Sequence, residues 1–352
     1  MALDFPKMLG TKDNPATPAK PRFSGAHWQD IVQPLQPFLD AVVGHLETQV
    51  EQFDPEIAAY TRYALTNQGK HLRPVLMALS GRSVGETTED HVKVATIVEM
   101  IHLATLVHDD VMDEAQLRRK RPTLAANWGN QISVLVGDCL FAHALTLAAS
   151  FPTPVICRMV AQATNTVCSG EILQTHRQLN FEVSRDEYFK VISMKTAELF
   201  GVACELGGML AGGTDSETMQ LRKYGMALGT AYQIYDDCVD VFGDEDSAGK
   251  SLGTDIASGK MTLPTLILLD IVNEAERAKI QDWIRNWRPH HFERIAEMMH
   301  QKDILRQSQR VIWDFIAQAD AALNELPQAD GTKALLALAN FLGRQTLALG
   351  GE

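Results

Sequence analysis

Two aspartate clusters are the residues best placed to do chemistry. The stretch HDDVMDEAQLRRKRPT, His108 to Thr123, carries Asp109, Asp110 and Asp113, then Arg118, Arg119, Lys120 and Arg121. On a helix, Asp109 and Asp113 are one turn apart and project from one face. Like charges at that spacing repel, and the helix macrodipole disfavours negative charge at a C-terminal end. Both penalties call for a compensating cation, and hard carboxylate oxygens suit Mg²⁺, which keeps waters and accepts substrate phosphate oxygens. The pattern returns 127 residues later as Asp236, Asp237 and Asp240 in YQIYDDCVD, again ending an apolar helix, with Gln233 one turn earlier on the same stripe. Facing each other across a helical bundle, the two clusters would form a carboxylate cage for more than one Mg²⁺.

Diphosphate is the partner such a cage calls for, and cationic donors for it occur in spaced groups. Lys70 and Arg73 lie in QGKHLRP, Arg118 and Arg119 follow the first acid cluster, Lys195 and Thr196 lie in SMKTAELF, and Lys250 and Lys260 bracket a polar loop. Arginine offers a planar two-pronged contact and lysine a mobile point charge. His102 stands two helical turns before Asp109, on the same stripe.

The elements that must hold these groups are helices. Trp28 to Val50 has apolar residues at Ile31, Val32, Leu35, Phe38, Leu39, Val42 and Leu46, a helical stripe. A short helix is expected over Arg73–Ser80, and a central one, apolar around most of its circumference, over Glu89–Asp113. Further helices are expected near 124–150, 155–177, 185–210, 216–242, 261–270, 273–286, 291–325 and 331–348. Breaks fall where Gly, Pro, Asp and Asn cluster, above all at 243–260. No segment alternates apolar and polar residues for long. The expected architecture is one all-α domain over 26–352, preceded by a flexible lead-in at 1–25 whose four prolines and two glycines discourage regular structure.

Composition narrows the function. A net charge of −12 argues against a general nucleic-acid binder, which needs a basic face. The five cysteines form no CxxC pair and read as buried free thiols of a reducing compartment, with no zinc site. No signal peptide is visible at the N-terminus, and no uninterrupted apolar run reaches the ~18 residues of a membrane span. A soluble cytoplasmic protein is expected.

Five ordered motifs then carry a resemblance: GKHLRP, HxxTLVHDDVMDEAQLRR with its PT, Gly170-Glu171 with Gln174, SMKTAELF, and YQIYDDCVD followed by GKSLGTDIASGKMTLP. From about Gly69 to Pro264 the chain resembles the trans-isoprenyl diphosphate synthases, or polyprenyl synthetases. The resemblance implies a single bundle of antiparallel helices around a deep cavity, commonly dimeric, with three Mg²⁺ per site once substrate is bound. It implies that Asp109, Asp113 and Asp236, supported by Asp110 and Asp240, serve as Mg²⁺ ligands or their close partners. Arg118, Lys195, Thr196, Gln233, Lys250 and Lys260 match positions that hold the allylic diphosphate. Lys70, Arg73, His102 and Arg119 match the isopentenyl diphosphate site. Lys120 stands where the family usually has glycine.

The activity so implied is Mg²⁺-dependent, head-to-tail 1'-4 condensation of isopentenyl diphosphate with an allylic diphosphate. Of this set Asp109, Asp113, Arg118, Lys195, Asp236 and Lys260 carry the catalytic weight. In the family, bulk at the positions of Ala104 and Thr105 shortens the product. Both are small here, which implies a deeper floor, with Phe141 and Leu145 as candidates for it, and a long, octaprenyl-like product. Alternatives are a geranylgeranyl or farnesyl synthase, a non-catalytic subunit of a heteromeric synthase, and a terpene cyclase. A lipid product also implies transient membrane contact.

Overall fold

The computed structural model describes residues 27–66, 69–244 and 252–350. The expected lead-in and Lys250 lie outside those residues. The chain opens with α1 (Trp28–Val32), a tight turn at Gln33–Leu35, and α2 (Gln36–Val50). The single expected helix is thus broken where Pro34 and Pro37 remove backbone donors. A short helix the sequence pattern did not reveal, α3 (Ala58–Leu65), precedes α4 (Leu72–Val84).

The central helix α5 (Glu89–Met112) ends with Asp113 at its C-cap. Val94, Ala95, Ile97, Met100 and Ala104 along it are fully enclosed. It packs against α2, α4 and two later helices, α7 (Asn130–Ala149) and α10 (Glu198–Leu210). Between α5 and α7 the chain forms a two-residue antiparallel ladder, β1 (Leu117–Arg118) with β2 (Arg121–Pro122), and the short α6 (Leu124–Trp128). Gly129, at φ 84°, then breaks what periodicity reads as one helix over 124–150.

Helix α8 (Pro154–His176) and α9 (Arg185–Ile192) follow, the latter joined to α10 by a wider π-type turn at Ser193–Ala197. Helix α11 (Asp215–Phe242) packs along α10 and along α16 (Ile304–Leu323). Its start is fixed by a capping box, Thr214 Oγ1 accepting from Glu217 N while the Glu217 carboxylate accepts from Thr214 N, a device worth about 1 kcal/mol. After α11 come α12 (Thr254–Ala257), α13 (Leu263–Ile271), α14 (Glu274–Arg285), α15 (Pro289–Gln301), α16 and α17 (Asp330–Leu347). Asp303, in left-handed conformation at φ 55°, divides the expected 291–325 helix into α15 and α16.

All-α is therefore the class, the two-residue ladder being the one departure among the described residues. Helix α7 is long and apolar enough to cross a membrane, with a mean hydropathy of 1.8, although Asp138 lies within it. One of its faces packs on α5 and α8.

Candidate active site

The C-terminal ends of α5 and α11, the π-type turn and the residues around α12 bring most of the expected residues to one end of the bundle. Lys260 joins the first acid cluster to Asp255: its Nζ donates to Asp113 Oδ1 at 2.8 Å and stands 3.7 Å from Asp255 Oδ1. Lys195, in the π-type turn, stands 3.9 Å from Asp109 Oδ2, donates to Gln174 Oε1 at 2.9 Å and pairs closely with Glu171. Helices with such a turn often carry function at it. Gly170 makes the close approach possible, because a Cβ there would fall 2.7 Å from the Lys195 backbone nitrogen.

Burial sets the electrostatics. It pushes Asp109 up to about 6, reinforced by Glu171 and Asp113 and opposed by Lys195 and Arg118. Burial works against the charges of Lys195 and Lys260, yet the surrounding carboxylates outweigh it and hold both ammonium groups above their ordinary range.

Asp110 is turned away from this group. It is buried and accepts from Arg118 Nε at 2.7 Å, so these two are each other's salt-bridge partners in this state rather than facing a metal and a substrate. Asp240 is fully enclosed: Oδ1 accepts from Thr254 Oγ1 at 2.8 Å and Oδ2 from Asp255 N at 3.1 Å. It caps α12 and so places Asp255. Gly253, at φ 72°, supplies the left-handed residue that starts α12. Asp236 is half-buried at the same end of α11.

Thr196 and Gln233 meet as expected, Thr196 Oγ1 donating to Gln233 Oε1 at 2.7 Å. Gln233 Nε2 in turn donates to Asp237 Oδ1 at 2.8 Å, and Tyr188 Oη to Asp237 Oδ2 at 2.6 Å. Burial and Asp255 push Asp237 up to about 8 despite these bonds. The relay fixes the Gln233 amide with its oxygen toward Thr196.

A second cationic group lies beside the first. Arg73 sits with its guanidinium 5.2 Å from the Phe200 ring centre, and Arg119, Glu99 and Tyr232 all act on its charge. Burial first, then Arg73, Arg119, Arg118 and His71, drive the His102 imidazole well below its ordinary range and leave it neutral. His102 is therefore a hydrogen-bonding group here, not a cation. Gly69 leaves room for Arg119, whose guanidinium would lie within 2.3 Å of a Cβ at that position. Lys70 is not drawn in; it is exposed, 6.0 Å from the Trp28 ring centre.

The turn that delivers Arg118 and Arg119 accounts for Lys120. Arg118 pairs with Arg121 across the ladder, and the two turn residues, Arg119 and Lys120, have φ 54° and 62°. Positive φ at both central residues is the turn geometry that favours glycine or asparagine. Lysine adopts the backbone conformation that glycine would take without strain.

Ala104 is completely buried, while Thr105 is half-buried, its hydroxyl donating to His102 O at 2.7 Å. Phe141 packs its ring 5.6 Å from that of His108, one residue before Asp109. Leu145 packs against the core one turn farther along α7.

Among the described residues, no three Asp, Glu, His or Cys side chains stand close enough to form a ready metal centre. Lys195 instead stands between Asp109 and Glu171, and Lys260 between Asp113 and Asp255. The donor chemistry still fits Mg²⁺: the carboxylates of Asp109, Asp113 and Asp236 offer hard oxygens, and burial keeps Asp109 from ionising as readily as an ordinary aspartate. Glu171, Gln174, Asp255 and Asp237 belong to this site although no role was assigned to them from sequence. All four lie within the quoted motifs.

The polyprenyl synthetase family model matches residues 54–301. The chain belongs to that family. It is 35% identical over 280 residues to the octaprenyl diphosphate synthase of Escherichia coli K12, covering 79% of this chain and 87% of that one. It is 33% identical over 308 residues to the heptaprenyl diphosphate synthase component 2 of Bacillus subtilis, covering 87% and 88%. Among solved structures, a polyprenyl synthase from Caulobacter crescentus, in complex with calcium and isoprenyl diphosphate, matches at a TM-score of 0.86 with 35% identity, covering 92% of this chain and all of that one. A decaprenyl diphosphate synthase from Rhodobacter capsulatus matches at 0.84 with 33% identity, covering 91% and 99%. As a polyprenyl synthetase, the chain is a prenyl-transferring enzyme of the all-α isoprenoid synthase fold.

Proposed function

We propose that this enzyme extends an allylic diphosphate with isopentenyl diphosphate, in trans and head to tail, to a long-chain product of octaprenyl type. The observation that carries this reading is the juxtaposition of two anion-binding groups. One is the Asp109, Asp113, Lys195, Lys260 cluster, fit for a metal-bound diphosphate, and the other is the cationic Arg73, Arg119 group with neutral His102, fit for a second. A terpene cyclase has no use for the second.

In this reading Asp109, Asp113 and Asp236 would hold Mg²⁺, three ions once substrate is bound, which would supply positive charge to the departing diphosphate. Asp110 and Asp240 support that set from behind, Asp110 through Arg118 and Asp240 through α12. Lys195, Lys260, Thr196, Gln233, Arg118 and Lys250 orient the allylic diphosphate and stabilise its negative charge as the C1–O bond breaks. Arg73, Arg119, His102 and Lys70 hold isopentenyl diphosphate so that its double bond attacks the allylic C1, and a proton is then lost to the released diphosphate. Apolar walls exclude water from the cation.

Exposed apolar residues on two helices that pack together, Val134 and Leu135 on α7 and Val155 and Ile172 on α8, support a homodimer. All five cysteines are free, which supports a cytoplasmic location. Release of an amphiphilic product involves transient membrane contact. Similarity to a protein named as component 2 favours a second reading, in which a partner subunit is required. Chromatography of the products made from several allylic primers by the purified protein tests both. Chains of about eight isoprene units support the first reading, C15–C20 products overturn the chain length, and activity only with a partner supports the second.

A further inference from the structure

Among the described residues, Glu99 is the carboxylate that acts on the cationic group of Arg73 and Arg119 and contacts His71. It is 4% exposed, in the middle of α5, and its Oε1 accepts from His71 Nδ1 at 3.2 Å. Its Oε2 has no hydrogen-bond partner. Among the described residues, three buried side-chain polar atoms without a hydrogen-bond partner meet here: Glu99 Oε2, His71 Nε2 and Arg73 Nε. A buried charge left half-satisfied is costly, so such a concentration marks a place completed by something polar.

A carboxylate beside an anion pocket weakens anion binding by simple repulsion, and its presence needs a reason. His71 supplies one. It is left-handed, at φ 45° and ψ 44°, immediately before α4. A non-glycine residue holds that conformation only where its surroundings impose it. Glu99 holds the His71 side chain at this point, where the turn carrying Arg73 two residues later begins. Glu99 also attracts Arg73 and Arg119, which otherwise repel each other.

We propose that Glu99 is a positioning residue for the isopentenyl diphosphate pocket, clamping His71 and keeping Arg73 and Arg119 assembled before the diphosphate arrives. The proposal rests on the assignment of that pocket made above. It separates two costs: the carboxylate gives up some attraction for the anion, and the pocket avoids rearranging when the anion enters.

Steady-state kinetics of Glu99→Gln at saturating Mg²⁺ tests it, with each substrate varied in turn. Wild-type turnover comes first, and if wild type incorporates no isopentenyl diphosphate, the pocket assignment falls whatever Glu99 does. Given turnover, Glu99→Gln is expected to raise KM for isopentenyl diphosphate about tenfold, with KM for the allylic substrate unchanged and kcat altered by less than about threefold. His71→Ala is expected to act likewise, and the double variant to cost no more than the larger single change. His71→Asn, which tolerates the left-handed backbone, is expected to restore most of the binding. Should Glu99→Gln not fold, the His71 pair decides alone. An isopentenyl KM within twofold of wild type, or equal rises for both substrates, overturns the proposal.

Discussion

Lys260 and Asp113, 147 residues apart in sequence, meet with Nζ 2.8 Å from Oδ1. The contact joins the end of α5 to the chain that follows α12, and it sets a protein cation where the reading above needs a metal ion's charge. In that reading Lys260 competes with Mg²⁺ in the substrate-free enzyme and donates to diphosphate once the ions bind. Lys260→Ala is expected to tighten Mg²⁺ binding to the substrate-free protein while lowering kcat by about 10²-fold, the scale of one oriented donor. Titration calorimetry and turnover measured on the same variant check the two signs.

Asp109 gives the pH dependence. Its carboxyl titrates near 6 because burial raises it, so the metal-free enzyme still binds a proton there at pH values where an ordinary aspartate is ionised. Mg²⁺ must displace that proton. Affinity for Mg²⁺ is therefore expected to fall as the pH drops from 7.5 through 6, with proton release on binding largest near pH 6. Calorimetry in buffers of different ionisation enthalpy measures the release, and its absence contradicts the assignment of Asp109 as a ligand.

Lys120 offers a test of backbone strain alone. Left-handed geometry costs a lysine about 1–2 kcal/mol, part of which glycine gives back through its freer unfolded chain. Lys120→Gly is expected to stabilise the protein by about 0.5–1 kcal/mol, seen as a higher urea midpoint at unchanged slope. Lys120→Val, β-branched at the same φ of 62°, is expected to move the midpoint the other way.

The sequence alone made the acid clusters, the helical class and the cationic groups legible, because apolar periodicity and charge spacing are local. Partner choice was not local. Nothing in HDDVMDEAQLRR distinguishes Asp109, which meets Lys195, from Asp110, which meets Arg118, since that depends on which face of α5 the bundle covers. Asp240 repeats the DDxxD pattern yet caps α12, a use visible only once the following loop folds back. Helix breaks at Gly129 and Asp303 were missed because the apolar stripe continues through both. Glu99 did carry a signal: it is the sole charge between Lys93 and Asp109, and a buried charge requires a partner.

Of the two proposed chain-length positions, Thr105 is a cleaner one to test than Ala104. Ala104 is fully enclosed, so a phenylalanine there overpacks the core at a typical cost of about 1–3 kcal/mol and confounds the readout. Thr105 is half-buried, four residues before Asp109. Thr105→Phe is expected to shorten the product by at least one isoprene unit without loss of folding. Products of unchanged length, resolved by reversed-phase chromatography after dephosphorylation, contradict a tunnel running past this residue.

The central claim is that the two acid clusters and the two cationic groups make one prenyl-chain-elongating site. Its most direct test is Mg²⁺-dependent incorporation of labelled isopentenyl diphosphate by the purified protein with an allylic primer, compared between wild type, Asp109→Asn and Asp236→Asn. The prediction is multi-unit products from wild type and a loss of at least about 10²-fold in each variant, with melting temperatures preserved. Undiminished incorporation by both variants contradicts it.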